Sequence, residues 1–162
     1  MRDVKQMIFS AIRPEEIKFM KRFVMTTCTL ISMLCMGTVH ARNQLSRVYV
    51  HHVTSSKGGT ELIPQGGSWT ARDHGGAVFE IVTDEIGYGH GARAQLLGNP
   101  LRQVKYESLC NVGGRPGPCP RGATLIGHRV TWDASGRDGG NFEMFVLPNG
   151  SGSAQRTALQ IR

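Results

Sequence analysis

From Arg47 onward, apolar and polar residues alternate in short runs separated by clusters of Gly, Asn, Asp and Ser. Alternation with a period of two is the mark of a strand with one buried and one wet face. Arg47–Val53 sets Val48 and Val50 against Tyr49, and Thr60–Ile63 resumes after the turn signal Ser55–Gly59. Ala77–Thr83 groups Ala77, Phe79 and Ile81, and Ala92–Leu97 and Leu101–Glu107 are split by Gly98-Asn99-Pro100. Thr124–Trp132 places Ile126, Val130 and Trp132 together, and Asn141–Leu147 does the same for Phe142, Met144 and Val146. In Arg156–Ile161, Thr157, Leu159 and Ile161 share a face. Seven or eight such strands joined by Gly-rich turns predict an all-β, antiparallel β-sandwich.

The region before Arg47 has a different pattern. Met20–Ala41 begins with Lys21 and Arg22, continues through an uncharged, mostly apolar stretch from Phe23 to Met36, and ends on Val39-His40-Ala41. That order of basic, apolar and small residues predicts a secretory signal peptide over 20–41, the apolar run being short for a membrane span. Leu34 stands where a lipoprotein signal before Cys35 would carry a small residue, so lipidation is not expected. Residues 1–19 then read as an extension from a start assigned too early, and 42–162 as one secreted domain beginning at Arg42.

Composition agrees with this division. The chain has 162 residues, 40% hydrophobic and 19% charged, with 21 Gly and a net charge of +7. Twenty of those Gly fall in 42–162, which argues against coiled coils and helical bundles. Recurrent Val, Ile, Leu and Phe argue against disorder, and the lack of long apolar stretches argues against a polytopic membrane protein. The secreted portion would carry 13 Lys+Arg against nine Asp+Glu, a net +4. Such a balance attracts anionic surfaces, and the expected partner is an anionic cell-envelope polymer or a carbohydrate. The Arg residues are scattered and not interleaved with aromatics, so specific nucleic-acid recognition is not expected.

Cys110 and Cys119 flank the turn-rich segment NVGGRPGP. In an oxidising compartment they are expected to form a disulfide. A zinc or redox pair is the alternative, against which the eight-residue spacing speaks.

DHGG (Asp73–Gly76) and EIGYGHGARAQ (Glu85–Gln95) resemble segments of the YolA-like secreted bacterial proteins. Thr54-Ser55-Ser56, WDASG (Trp132–Gly136) and GGNF (Gly139–Phe142) add to the likeness, which runs from about Val48 to Ile161. The resemblance implies a small exported domain and no assigned activity, and it makes the Cys110–Cys119 loop look like a local elaboration.

The densest polar constellation is Asp73, His74, Asp84, Glu85, His90 and Arg93. His74, Glu85 and His90 carry donor types that zinc accepts, but there is no H-E-x-x-H and no pair at helical spacing, so neither a metal nor any other cofactor is expected. Catalytic candidates are Glu85 with His74 or His90 as acid and base, and Arg93 as an anion holder. The plainer alternative is a set of Gly-rich turns whose Asp and His side chains bond nearby backbone. No G-x-S-x-G motif supports an acyl-transfer serine. Binding candidates are Asp73, His74, Tyr88, His90 and Arg93. Tyr88 and Trp69 could stack on a sugar ring or plug the end of the sandwich. His51 and His52, adjacent on a strand, are expected to face opposite ways and not to form a pair. His128, sharing a face with Val130 and Trp132, reads as a hydrogen-bonded core or edge residue. The favoured function is a binding module of the envelope or extracellular space, and the runner-up a small secreted hydrolase.

Overall fold

A computed structural model describes residues 44–162. The predicted leader over 20–41 and the extension over 1–19 lie outside the described residues. The described chain forms twelve strands, beginning with β1 (Arg47–Ser55), β2 (Gly59–Leu62), β3 (Gly75–Gly76), β4 (Phe79–Ile86), β5 (Gly89–Leu96) and β6 (Asn99–Pro100). They continue with β7 (Arg102–Val112), β8 (Arg115–Pro118), β9 (Leu125–Asp133), β10 (Arg137–Asp138), β11 (Gly140–Pro148) and β12 (Gln155–Ile161). Seven of them are seven residues or longer.

The fold is an antiparallel sandwich whose sheets curl into a half-barrel. The larger sheet runs β2-β1-β4-β9-β7-β8, the smaller β12-β11-β5-β6, and β10 pairs with β3 at one end. Alternation decides which side chains meet between the sheets. Phe79, Ile81 and Trp132 come from the larger sheet, and Leu96, Phe142, Met144 and Leu159 from the smaller, all at most 2% exposed. Each contributes about 1.5–3 kcal/mol by leaving water. Trp132 Nε1–H donates to Thr83 Oγ1 at 3.0 Å, so the buried indole keeps its hydrogen bond.

Two local features depart from the sequence expectation. The turn-rich segment after Cys110 is a hairpin: β7 runs on to Val112, reverses at Gly113-Gly114 and returns as β8. Both turn residues have positive φ (58° and 81°), which a two-residue hairpin turn requires and glycine supplies without strain. Pro116 and Pro118 lack an N–H, which suits a strand at the outer edge of a sheet. The Cys110–Cys119 disulfide is present and ties this edge down.

The second departure lies in β1. Val50 pairs with Thr83 and His52 with Val82, leaving His51 as an extra residue in a bulge. A bulge turns the inserted side chain out of strict alternation. His51 and His52 therefore meet, contrary to the expectation of opposite faces, with Nδ1 atoms 2.7 Å apart.

Beyond the reach of the smaller sheet, β7 is exposed on both faces from Arg102 to Ser108. The larger sheet thus leaves a shelf along the inner face of β7, beside the half-buried His128 of β9.

Candidate functional site

Strand alternation carries two titratable groups onto this inner face. In β4 the inward positions are Phe79, Ile81, Thr83 and Glu85; in β9 they are His128, Val130 and Trp132, with Thr83 paired to Val130 and Glu85 to His128. Directly opposed residues of this kind stand about 5 Å apart at Cα. The two strands approach closely here because residue 127 is glycine. A Cβ added at Gly127 would collide with the Glu85 carbonyl oxygen.

Glu85 is only 2% exposed. Among the described residues, neither its Oε1 nor His128 Nδ1 has a hydrogen-bonding partner, although both atoms are buried. His128 therefore departs from the expected hydrogen-bonded histidine. Leaving a buried polar group unpaired costs about 1–3 kcal/mol, and native proteins seldom do so without a ligand or function to account for it. Burial pushes the Glu85 carboxyl up to about 7 and the His128 imidazole down. Near neutral pH the imidazole favours its neutral form while the carboxyl exchanges between acid and carboxylate, so Glu85 can donate or accept and the imidazole nitrogen can accept or donate.

Two tyrosines flank this pair. The Tyr106 ring stacks on His128 at 4.6 Å and 25°, and Tyr88 approaches edge-on at 6.1 Å and 74°. Tyr88 lies in the β4–β5 connection, held by a bridge to Gln44 and by Gly87 N–H donating to the Ile126 carbonyl. Tyr106 is 51% exposed, and burial together with the Glu85 charge raises its phenol pKa. Ser108, also exposed, stands opposite His128. The shelf thus presents aromatic faces to solvent with unpaired polar atoms beneath them.

The other candidates lie elsewhere. His74 is fully buried, its Nδ1 3.0 Å from Ser55 Oγ and its Nε2 3.2 Å from Glu61 Oε2. Glu61 in turn accepts from the backbone N–H groups of Ala71 and Arg72, so this cluster fastens the loop before β3 to the β1–β2 hairpin. Ser55 and Val48, the β1 neighbours of His74 and Glu85, stand seven positions apart, which is about 20 Å along a strand. His74 and Glu85 therefore do not converge. Asp73 is exposed and paired with Lys57 at 2.7 Å. His90 and Arg93 lie on β5, exposed and in register with the exposed Leu147 and Phe145 of the smaller sheet. They share neither Glu85's face nor its sheet. Trp69 is no plug, being 63% exposed, and pairs by its backbone with Gln160 on β12. Of the binding and catalytic candidates read from sequence, Tyr88 alone stands beside the His128 ring that faces Glu85 across the strand pair.

The opposite face of the larger sheet carries a second polar assembly. Arg129 donates from Nε and Nη2 to both carboxylate oxygens of Asp84 at 2.7 and 2.8 Å, and the Tyr49 hydroxyl donates to Asp84 Oδ2 at 3.1 Å. Asp84 has no solvent exposure, and burial of the Tyr49 phenol together with the Asp84 charge raises it to about 12. An open groove of ≈ 390 Å³ runs alongside, lined by His52, Glu80, Lys105, Glu107 and Arg129 among others. Among the described residues, no group of three or more His, Cys, Asp or Glu is placed to hold a metal ion.

Sequence reasoning missed His128 and Tyr106 as site residues, and a signal for His128 was present. Extending the alternation of Phe79 and Ile81 by two steps puts Glu85 inward, and that of Trp132 and Val130 puts His128 inward. Ionisable residues at inward positions of otherwise apolar faces are the pattern to follow. No curated protein and no solved structure matches the chain. A family model matches residues 41–161, spanning every strand of the sandwich and the Cys110–Cys119 hairpin, and on that match the chain belongs to the family described as a domain of unknown function, DUF4879.

Proposed function

We propose that this protein is an exported bacterial binding module whose Glu85–His128 shelf takes a neutral sugar ring of an envelope or extracellular polymer. One observation carries the reading: two buried, unpaired polar atoms, Glu85 Oε1 and His128 Nδ1, lie beside the exposed ring of Tyr106. A sugar offers an apolar C–H face to lie against the exposed Tyr106 ring, and hydroxyl groups that would pair with the two atoms once the side chains covering them give way. An anionic group would fit poorly beside a carboxyl that ionises near neutrality. The net charge of +4 over 42–162 would then supply weak, non-specific attraction to an anionic envelope. Export is supported by the signal-peptide pattern of Met20–Ala41 and by the resemblance of DHGG and EIGYGHGARAQ to the YolA-like secreted proteins.

A second reading has one observation in its favour. A carboxyl near 7 suits general acid–base work, as in a hydrolase. His128, rather than the distant His74 or His90, would then be its partner. Glycoside hydrolysis commonly uses two carboxylates flanking the bond, whereas Asp84, paired with Arg129, and Glu107, paired with Lys105, lie on the other face of the sheet. Binding is therefore the stronger reading. Co-sedimentation with purified peptidoglycan tests it: the intact protein is expected in the pellet and Tyr106→Ala in the supernatant. Equal pelleting would count against the shelf, and release of reducing ends would favour the hydrolase.

A further inference from the structure

The β1 bulge places two imidazoles side by side on the face opposite the shelf, where nothing above gives them a role. We propose that His51 and His52 form a two-nitrogen chelating site for a divalent first-row transition cation, Cu(II) foremost.

In a regular strand adjacent side chains diverge, but the extra residue at His51 brings both rings onto the side of the sheet that carries Val82 and Asp84. Their Nδ1 atoms stand 2.7 Å apart, and their rings are 4.9 Å apart at 77°. A cation about 2.0 Å from each nitrogen would subtend an angle of about 85° across that gap, close to the cis angle of a tetragonal field. A tetrahedral angle would need the nitrogens about 3.3 Å apart, so the rings would have to open to hold Zn(II) in that geometry. The site is open to solvent, since both residues are only half-buried.

Electrostatics leave the pair available. Burial lowers the pKa of both rings, and His51 lowers that of His52 further, so neutral imidazole predominates near pH 7. The Asp84 charge is matched by Arg129, and the adjoining groove adds Glu80, Glu107 and Lys105. In the metal-free pair one proton bridges the two Nδ1 atoms. The cation replaces it, and the donor ring takes up a proton at its Nε2, so both rings bind as neutral imidazoles with no net release of a proton. No third protein ligand joins among the described residues, so water or a small exogenous ligand completes the coordination.

The test is titration of the full-length chain with Cu(II) chloride, followed by electron paramagnetic resonance and by paramagnetic broadening of amide signals. Substoichiometric Cu(II) is expected to broaden His51, His52 and their β1 neighbours first, with two imidazole nitrogens in the spectrum. His51→Gln and His52→Gln should each weaken binding at least tenfold, while His90→Gln should not. Broadening centred elsewhere in the intact protein, or wild-type affinity in both β1 variants, would overturn the proposal. The broadening experiment needs no variant and decides the matter even if a substitution unfolds the protein.

Discussion

Glu85 sits directly across the β4–β9 strand pair from His128, and neither Glu85 Oε1 nor His128 Nδ1 finds a hydrogen-bonding partner among the described residues. The two neighbouring strands hold this pair in register by backbone hydrogen bonds, while the glycine at 127 allows the close approach. The cost of leaving the atoms unpaired, about 1–3 kcal/mol for each group, falls on folding.

The first consequence is a pH dependence of stability. An unfolded Glu loses its proton near 4.5, and Glu85 in the folded protein near 7. Between those values the folded state holds the extra proton, so stability present below about 4.5 is lost by about 7, to the extent of about 3 kcal/mol. Glu85→Gln should abolish this decline. Urea denaturation of both proteins at pH 5 and pH 8 checks it: the variant should gain on wild type at pH 8. Taking the difference between them cancels the contribution of the histidines.

On the other face, Asp84→Asn should destabilise strongly. It leaves Arg129, whose side chain is 18% exposed, without its bidentate partner, and it weakens the Tyr49 contact. Breaking a buried pair from one side costs about 3–5 kcal/mol, against about 1 kcal/mol for Tyr49→Phe. Chemical denaturation of the two variants should preserve that order.

The disulfide offers a third test. Closing a loop with a sequence separation of nine residues restricts the unfolded chain by about 2–3 kcal/mol. Cys119→Ala, or reduction of the wild type, should lower stability by about that amount. Sugar binding at the Tyr106 shelf should survive, because the sulfurs tie β7 to β8 rather than to β9.

Much of the fold was legible in the sequence because the core is written in local alternation. The face shared by Phe142, Met144 and Val146 is a property of seven consecutive residues, and each of the eight runs read as a strand forms one. The hairpin turn at Gly113-Gly114 was legible only as a turn. Pro116 and Pro118 hid β8, since proline marks a loop as readily as an edge strand. The site was less legible for a different reason. Glu85 meets His128 through pairing of strands more than forty residues apart, and His51 meets His52 through a one-residue register shift. Local spacing shows Glu85 and His128 each pointing inward but not that they meet, and it gives no sign of the shift at His51. The cluster at His74 looked functional for the same residue types, yet Ser55 and Glu61 fully engage its ring in holding the hairpin.

Binding of a sugar at the proposed shelf of Tyr88, Tyr106, His128 and Glu85 is read by nuclear magnetic resonance of the full-length chain, with labelled histidine and tyrosine rings, titrated with soluble peptidoglycan glycan strands. Saturable shifts centred on the rings of His128, Tyr106 and Tyr88 are expected, lost in Tyr106→Ala and reduced in Glu85→Gln. Shifts centred on His74, His90 or Trp69, or a titration that leaves the His128 ring unmoved, would overturn sugar binding at the shelf.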